Sequence, residues 1–141
     1  MKRPASAPRA GLLTESRNPR SERLDTLPTS RVVALLLDED RRAIVAALGQ
    51  RAAIARAADL VADVLKAGGR VVFLGAGTSG RLGILEAAEC PPTFGTDPDR
   101  IRGVMAGGEE AVFRAVEGAE DREDEGREEA QHLRTGDVLV G

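Results

Sequence analysis

The period of the hydrophobic positions changes several times along this chain of 141 residues. The first 28 residues show none: Pro, Arg and Ser recur, and six basic residues accompany three acidic ones, so residues 1–28 read as an extended arm. Thr14-Glu15-Ser16-Arg17-Asn18-Pro19, within the arm, is turn-like. Helical spacing begins near Pro28, where the hydroxyl of Thr29 or Ser30 can cap a helix carrying Val32 to Leu37. Asp38-Glu39-Asp40 reads as the cap of a second helix carrying Ile44, Val45 and Leu48. A third runs from about Arg51 to Lys66, with Ile54, Ala57, Ala58, Val61 and Leu65 on one face, and Gly68-Gly69 closes it. Residues 29–67 are therefore N-terminal helices, apolar enough to pack on a sheet or on a second copy.

At residue 68 the pattern changes. Val71-Val72-Phe73-Leu74 is an unbroken apolar run between glycines, the mark of a parallel strand covered on both faces. Gly75-Ala76-Gly77-Thr78-Ser79-Gly80 follows at once, then a helix from Arg81 to Cys90 that Pro91-Pro92 is expected to stop. The order repeats, with a strand over Arg102–Ala106, glycines at Gly107-Gly108, and a helix over Glu109–Val116. Residues 117–129 hold eight acids against Arg122 and Arg127, a solvated helix face. Asp137-Val138-Leu139-Val140 is a third strand. Strands alternating with helices predict an α/β fold, a parallel sheet with flanking helices. Such sheets usually have more strands, and a last strand with nothing after it leaves a bare edge. Residues 68–141 thus read as the first part of a domain truncated after its third strand.

Composition narrows the function. Hydrophobic content of 42% and charged content of 30% are those of an ordinary soluble chain. Three Phe with no Tyr or Trp leave no stacking platform for single-stranded nucleic acid, and a net charge of −3 gives no reason to expect a polyanion partner. A single cysteine excludes an internal disulfide and suits a reducing compartment. No run approaches a membrane span and no signal segment is present, so no membrane partner is expected and a cytoplasmic location is the default.

The chemistry begins at the glycine loop. A strand, a glycine turn and a helix start point free backbone N–H groups and the positive helix end at one place, which suits an anion. The loop also satisfies the dinucleotide pattern G-x-G-x-x-G, but the acid expected about 20 residues on, at the end of the next strand, is missing, since Glu109 lies beyond it and Asp97 and Asp99 flank Pro98 in a turn. The hydroxyls of Thr78 and Ser79 suit the oxygens of a terminal phosphate. A phosphomonoester, a dinucleotide and a merely structural glycine turn all remain open on the residues alone, the first being favoured.

The run Gly75 to Gly83, continued by Ala88-Glu89-Cys90-Pro91-Pro92-Thr93-Phe94-Gly95, closely resembles the N-acetylmuramic acid 6-phosphate etherases. The resemblance extends to Thr14–Pro19, to Ala106-Gly107-Gly108-Glu109 and to Glu117-Gly118-Ala119-Glu120-Asp121, in the same order, and covers nearly everything from residue 14 onward. It implies a sugar isomerase (SIS) domain, a parallel sheet wrapped by helices and paired as a homodimer. It also implies cleavage of the D-lactyl ether of N-acetylmuramic acid 6-phosphate to N-acetylglucosamine 6-phosphate and D-lactate, with no metal and no organic cofactor. Members of that family are about twice as long and continue into a second phosphate-binding serine segment, so this chain corresponds to their N-terminal half and is expected to be inactive alone.

Ether cleavage of this kind needs a base for the proton on carbon 2 and an acid for the departing oxygen. His132, the only histidine, lies in the charged segment and reads as a surface residue, so carboxylates must do the work. From the residues alone Glu89 is a solvated glutamate in the last turn of a helix, where the dipole favours its protonated form. The resemblance places it on the catalytic glutamate of the etherases, and we assign it as the acid. Glu120 falls on their second glutamate and is assigned as the base. Gly77, Thr78, Ser79 and Gly80 bind the phosphate, and Glu117, one turn from Glu120 if that stretch is helical, contacts sugar hydroxyls; Gly118 counts against the helix. Ser79 and Glu89 are ten residues apart, about 15 Å along a helix, long for one hexose phosphate, so the two are expected to serve sites shared between subunits. The rival reading is a sensor without catalysis, like the glucokinase regulatory protein, which shares the phosphate loop and the pair matching Glu117 and Glu120 but lacks Glu89 with Cys90-Pro91-Pro92. A sugar-phosphate isomerase is third.

Overall fold

A computed structural model describes residues 16–141. Thr14, Glu15 and the first part of the arm lie outside the described residues. The chain divides into two units, one ending at Ala55 and the other comprising Arg56–Gly141.

In the first unit, short 3-10 turns at Pro19–Ser21 and Leu24–Thr26 precede a long helix, α1 (Thr29–Gly49). Two expectations are corrected here. The helix cap is Pro28, whose carbonyl receives the N–H groups of Arg31 and Val32, and no side-chain hydroxyl caps α1. Nor does a second helix begin at Asp38. With no Gly or Pro nearby to break the helix, Asp38 and Glu39 bond sideways to Arg41 and Arg42, and Arg20 reaches both acids at 2.6 and 2.5 Å. α1 has no buried residue among those described, and Val33, Leu37, Ile44 and Leu48 are at least half exposed or nearly so, at 49 to 63%.

α2 (Arg51–Lys66) continues into the second unit and ends as expected at Gly68-Gly69. The Gly69 N–H bonds to the Val64 carbonyl and that of Gly68 to Leu65, the paired bonds of a Schellman turn. Arg100 adds its guanidinium to the carbonyls of Gly68 and Leu65. The sheet follows: β1 (Val71–Gly75), α3 (Gly77–Phe94), β2 (Ile101–Met105), α4 (Gly108–Phe113), α5 (Glu123–Gln131) and β3 (Val138–Val140). All pairings are parallel in the order β2-β1-β3, with Val71 opposite Ile101 and Val138. The α/β fold read from the pattern is borne out, and each strand lies within a residue or so of its expected place.

The core is small: Val71, Val72, Met105, Ala111 and Ala119 are its buried apolar residues among those described. α3 lies on β1 and β2 through missing side chains. A Cβ on Gly80 would stand 2.4 Å from the Gly75 carbonyl oxygen, one on Gly83 2.6 Å from Phe73 Cβ, and one on Gly103 2.7 Å from Ile84 Cα. That approach fixes where the start of α3 sits above the strands.

α3 departs from expectation at both ends. It starts at Gly77, so Thr78, Ser79 and Gly80 form its first turn. It also runs through Pro91 and Pro92 to Phe94, where the N–H of left-handed Gly95 bonds to the Pro91 carbonyl. The prolines fall in the last turn, so only the carbonyls four residues before them lose helical partners. α4 is shorter than expected, ending at Phe113. Among the described residues no helix is long and apolar enough to cross a membrane.

Candidate functional site

The three strands present their carboxyl ends at Gly75, Met105 and Val140, and the start of α3 stands at that end of β1. The N-cap residue Ala76 has no side chain able to bond the first turn, and the Gly80 N–H is the first to find a helical partner, in the Ala76 carbonyl at 3.2 Å. The N–H groups of Gly77, Thr78 and Ser79 therefore lead the helix without intrahelical acceptors. Gly77, Thr78 and Ser79 are exposed and Gly80 is buried against β1 and Met105. The geometry provides donors and a positive helix end together, the arrangement that suits an anion.

Two cavities open beside this turn. One, of about 180 Å³, is lined by Gly77, Arg81, Met105, Val116, Glu117 and Glu120 among others. A larger one, of about 570 Å³, takes in Gly75, Ala76, Gly107, Gly108 and again Glu120, with glutamates of α5 on its far side. Ser79 and Gly80 line a third hollow of about 210 Å³ with Phe73, Leu82 and Gly83. The structure thus brings Gly77, Glu117 and Glu120 to one cavity, and places Ser79 and Gly80 around the other side of the same turn. Thr78 and Glu89 line none of these three.

The pair of acids is not on a helix. Gly118 has φ +74, a left-handed conformation that side-chain-bearing residues rarely adopt, and Ala119–Asp121 is a single 3-10 turn. The expectation of one helical turn between Glu117 and Glu120 is therefore corrected: a glycine turn, anchored by buried Ala119, carries both. Glu89 is exposed on α3. Because the helix continues to Phe94, Glu89 stands before the last turn rather than in it. The helix dipole acts mainly within the terminal turn, which Glu89 precedes. His132 is exposed, as read from the sequence, and Cys90 is half-buried.

Two contributors were not legible beforehand. Arg81 donates from Nε to the Val112 carbonyl at 2.8 Å and from Nη2 to that of Ala111 at 2.7 Å, tying α3 to the end of α4. Glu125 accepts the Gly107 N–H at 3.1 Å and pairs with Arg122 at 2.5 Å, holding the glycine turn after β2. An arginine directly after a glycine loop is a visible signal, but its partners lie 30 and 31 residues away.

Residues 53–140 match the family model described as glucokinase regulatory protein N-terminal SIS domain. The N-acetylmuramic acid 6-phosphate etherase of Cutibacterium acnes is 55% identical over 130 residues, 91% of this chain and 43% of the relative. Those of Parasynechococcus marenigrum and Photorhabdus laumondii are 52% and 48% identical over 96% and 92% of this chain, and 44% of each relative is covered. The resemblance read from separated motifs is borne out. The chain spans less than half the length of the relatives it matches.

Proposed function

This chain belongs to the glucokinase regulatory protein N-terminal SIS domain family, and we propose that it is the phosphosugar-binding part of an N-acetylmuramic acid 6-phosphate etherase. The observation that carries this reading is the uncapped start of α3 at the carboxyl ends of the strands, beside a cavity shared by Gly77, Glu117 and Glu120, in a chain about half identical to proteins of that name. The substrate is a phosphorylated amino sugar. Its phosphate meets the N–H groups of Gly77, Thr78 and Ser79 and the two hydroxyls, with Gly80 completing the turn, and Glu117 contacts sugar hydroxyls.

Catalysis proceeds by elimination and then addition of water. Glu120 takes the proton from carbon 2 of the opened sugar, the bond from carbon 3 to the ether oxygen breaks, and Glu89 protonates the leaving D-lactate. Water then adds at carbon 3 to restore the hydroxyl. Ser79 and Glu89 lie on one continuous helix, about 15 Å apart, and this separation supports a homodimer in which Glu89 of one copy completes the site holding the phosphate of the other. A reducing cytoplasm suits the single Cys90. The activity is proposed for the chain together with the additional length its relatives carry, and the chain alone is expected to release no lactate.

A chimera in which this chain replaces the matching part of the Cutibacterium acnes relative tests the reading. It should release D-lactate from N-acetylmuramic acid 6-phosphate. The family description favours a second reading, a sugar-phosphate sensor; sugar-phosphate binding without lactate release in the chimera would select it.

A further inference from the structure

We propose that Arg81 is a positioning residue, which sets the distance between the anion-binding turn of α3 and the segment carrying Glu117 and Glu120. The inference rests on the etherase reading for its catalytic consequence, but not for its structural one. Arg81 follows Gly80 directly, and Gly80 is fixed against the Gly75 carbonyl and Met105, so the root of the arginine cannot drift from the phosphate turn.

Its head group is committed elsewhere. α4 spans only Gly108–Phe113, and Arg114 is extended, so the last carbonyls of α4 have no following helical turn to serve them. The Arg81 guanidinium takes that place, with Nε on Val112 and Nη2 on Ala111 and, at 3.5 Å, on Arg114. A planar fork suits adjacent carbonyls, and its charge suits the negative end of α4. From Arg114 the chain leads through Val116, whose carbonyl accepts the Ala119 N–H at 3.3 Å, into the Gly118 turn. Arg81 itself lines the cavity with Gly77, Glu117 and Glu120.

An arginine beside a phosphate loop would ordinarily be read as a phosphate ligand. Here Nε and Nη2 are spent on backbone carbonyls, so the two roles make different predictions. A ligand lost raises KM, whereas a positioner lost lowers kcat while the phosphate still binds.

Amide hydrogen exchange on the 141-residue chain is the first arm. Arg81→Ala should speed exchange over residues 114–121 by about tenfold and leave the strands unchanged. The second arm uses the chimera. Arg81→Ala and Arg81→Gln should lower kcat by about 10- to 100-fold, since a misplacement of about 1 Å can cost a hundredfold, with KM changed less than about threefold. A raised KM at unchanged kcat, no change in either, or loss of protection across all the strands would each overturn the proposal. If the parent chimera releases no lactate, the etherase reading fails instead, and the exchange arm alone decides the role of Arg81.

Discussion

The two ends of the sheet are built oppositely. At the amino end each strand is preceded by a residue whose polar groups are occupied: Arg70 before β1, Arg100 before β2 and Asp137 before β3. Asp137 accepts the Arg70 N–H at 2.8 Å, two donors of the Arg70 guanidinium at 2.6 and 3.1 Å, and the Arg134 N–H at 2.8 Å, with its side chain only 3% exposed. Arg70 also reaches the His132 carbonyl, and Arg100 closes α2. At the carboxyl end α3 starts uncapped, glycines replace side chains, and Glu117 and Glu120 face cavities. One end spends its polar groups on holding the strands together. The other sets uncapped N–H groups and two glutamates beside cavities, as ligand crevices of open parallel sheets do. Substitutions at the carboxyl end should therefore change activity with little effect on folding, and those at the amino end the reverse.

The strongest expected contrast lies in the two glutamates. In the chimera Glu120→Gln should abolish both lactate release and exchange of the carbon 2 hydrogen with deuterated water. Glu89→Gln should block release yet leave exchange detectable, because only the leaving oxygen lacks its proton. Each loss should be about a hundredfold to ten-thousandfold in rate, with thermal unfolding nearly unchanged. Exchange lost in Glu89→Gln but kept in Glu120→Gln would reverse the roles.

At the amino end the matching substitution is Gly69→Ala. Its Cβ would stand 2.0 Å from the Gly136 carbonyl oxygen and 2.9 Å from Val64 Cγ1, so the backbone before β1 or β3 must shift. Overpacking of this kind costs about 1–3 kcal/mol. Denaturant unfolding should show that loss, while the rate per folded molecule stays near that of the parent. A fall in rate without a fall in stability would break the division between the two ends.

The same division explains what could be read in the sequence. β1 and β2 were legible because each is an apolar run next to glycines, and local pattern suffices for a strand covered on both faces. The continuity of α1 is hidden because Asp38-Glu39-Asp40 looks like a cap, and only the fold supplies Arg20 as a partner from 18 and 19 residues away. Pro91-Pro92 reads as a stop because a proline at the end of a helix and one just beyond it look alike in sequence. The anion turn was visible in its glycines and hydroxyls. Arg81 was not, since its role depends on where α4 stops, and that is decided by contacts remote in the chain. The Arg70–Asp137 clasp spans 67 residues and was unreadable for the same reason.

A smaller effect is expected at Ser79. Ser79→Ala removes one hydroxyl from the first turn of α3 and leaves the N–H groups in place, so sugar-phosphate affinity should fall by about tenfold, near the low end for a hydrogen bond to a charged group. Alanine is the better helix former, and Ser79 is exposed, so stability should not drop. Isothermal titration with the sugar and with its phosphate checks both parts: equal affinity for the two would remove the phosphate site from this turn.

The least conspicuous effect concerns acid. The Arg70 guanidinium bonded to Asp137, joined by the Arg134 N–H, holds the Asp137 carboxyl well below its ordinary value of 3.8, against the opposing effect of burial. A carboxyl whose folded value is depressed contributes stability that is fully present above the unfolded value and is lost as pH falls toward the folded one. The contribution of Asp137 should therefore be intact at neutral pH, begin to fade near pH 4 and keep fading well below it. Asp38, lowered by its bonds to Arg41 and Arg20, acts in the same direction in the first unit. The two are separable by substitution. Asp137→Asn should be less stable at pH 7 and should flatten the acid limb of a stability–pH profile monitored by the protection of β1 and β3. Asp38→Asn should leave that limb unchanged for the strands. An acid limb of undiminished steepness in Asp137→Asn would mean that the amino end of the sheet is held by its backbone contacts, and that the clasp orders the turn before β3 without stabilising the sheet.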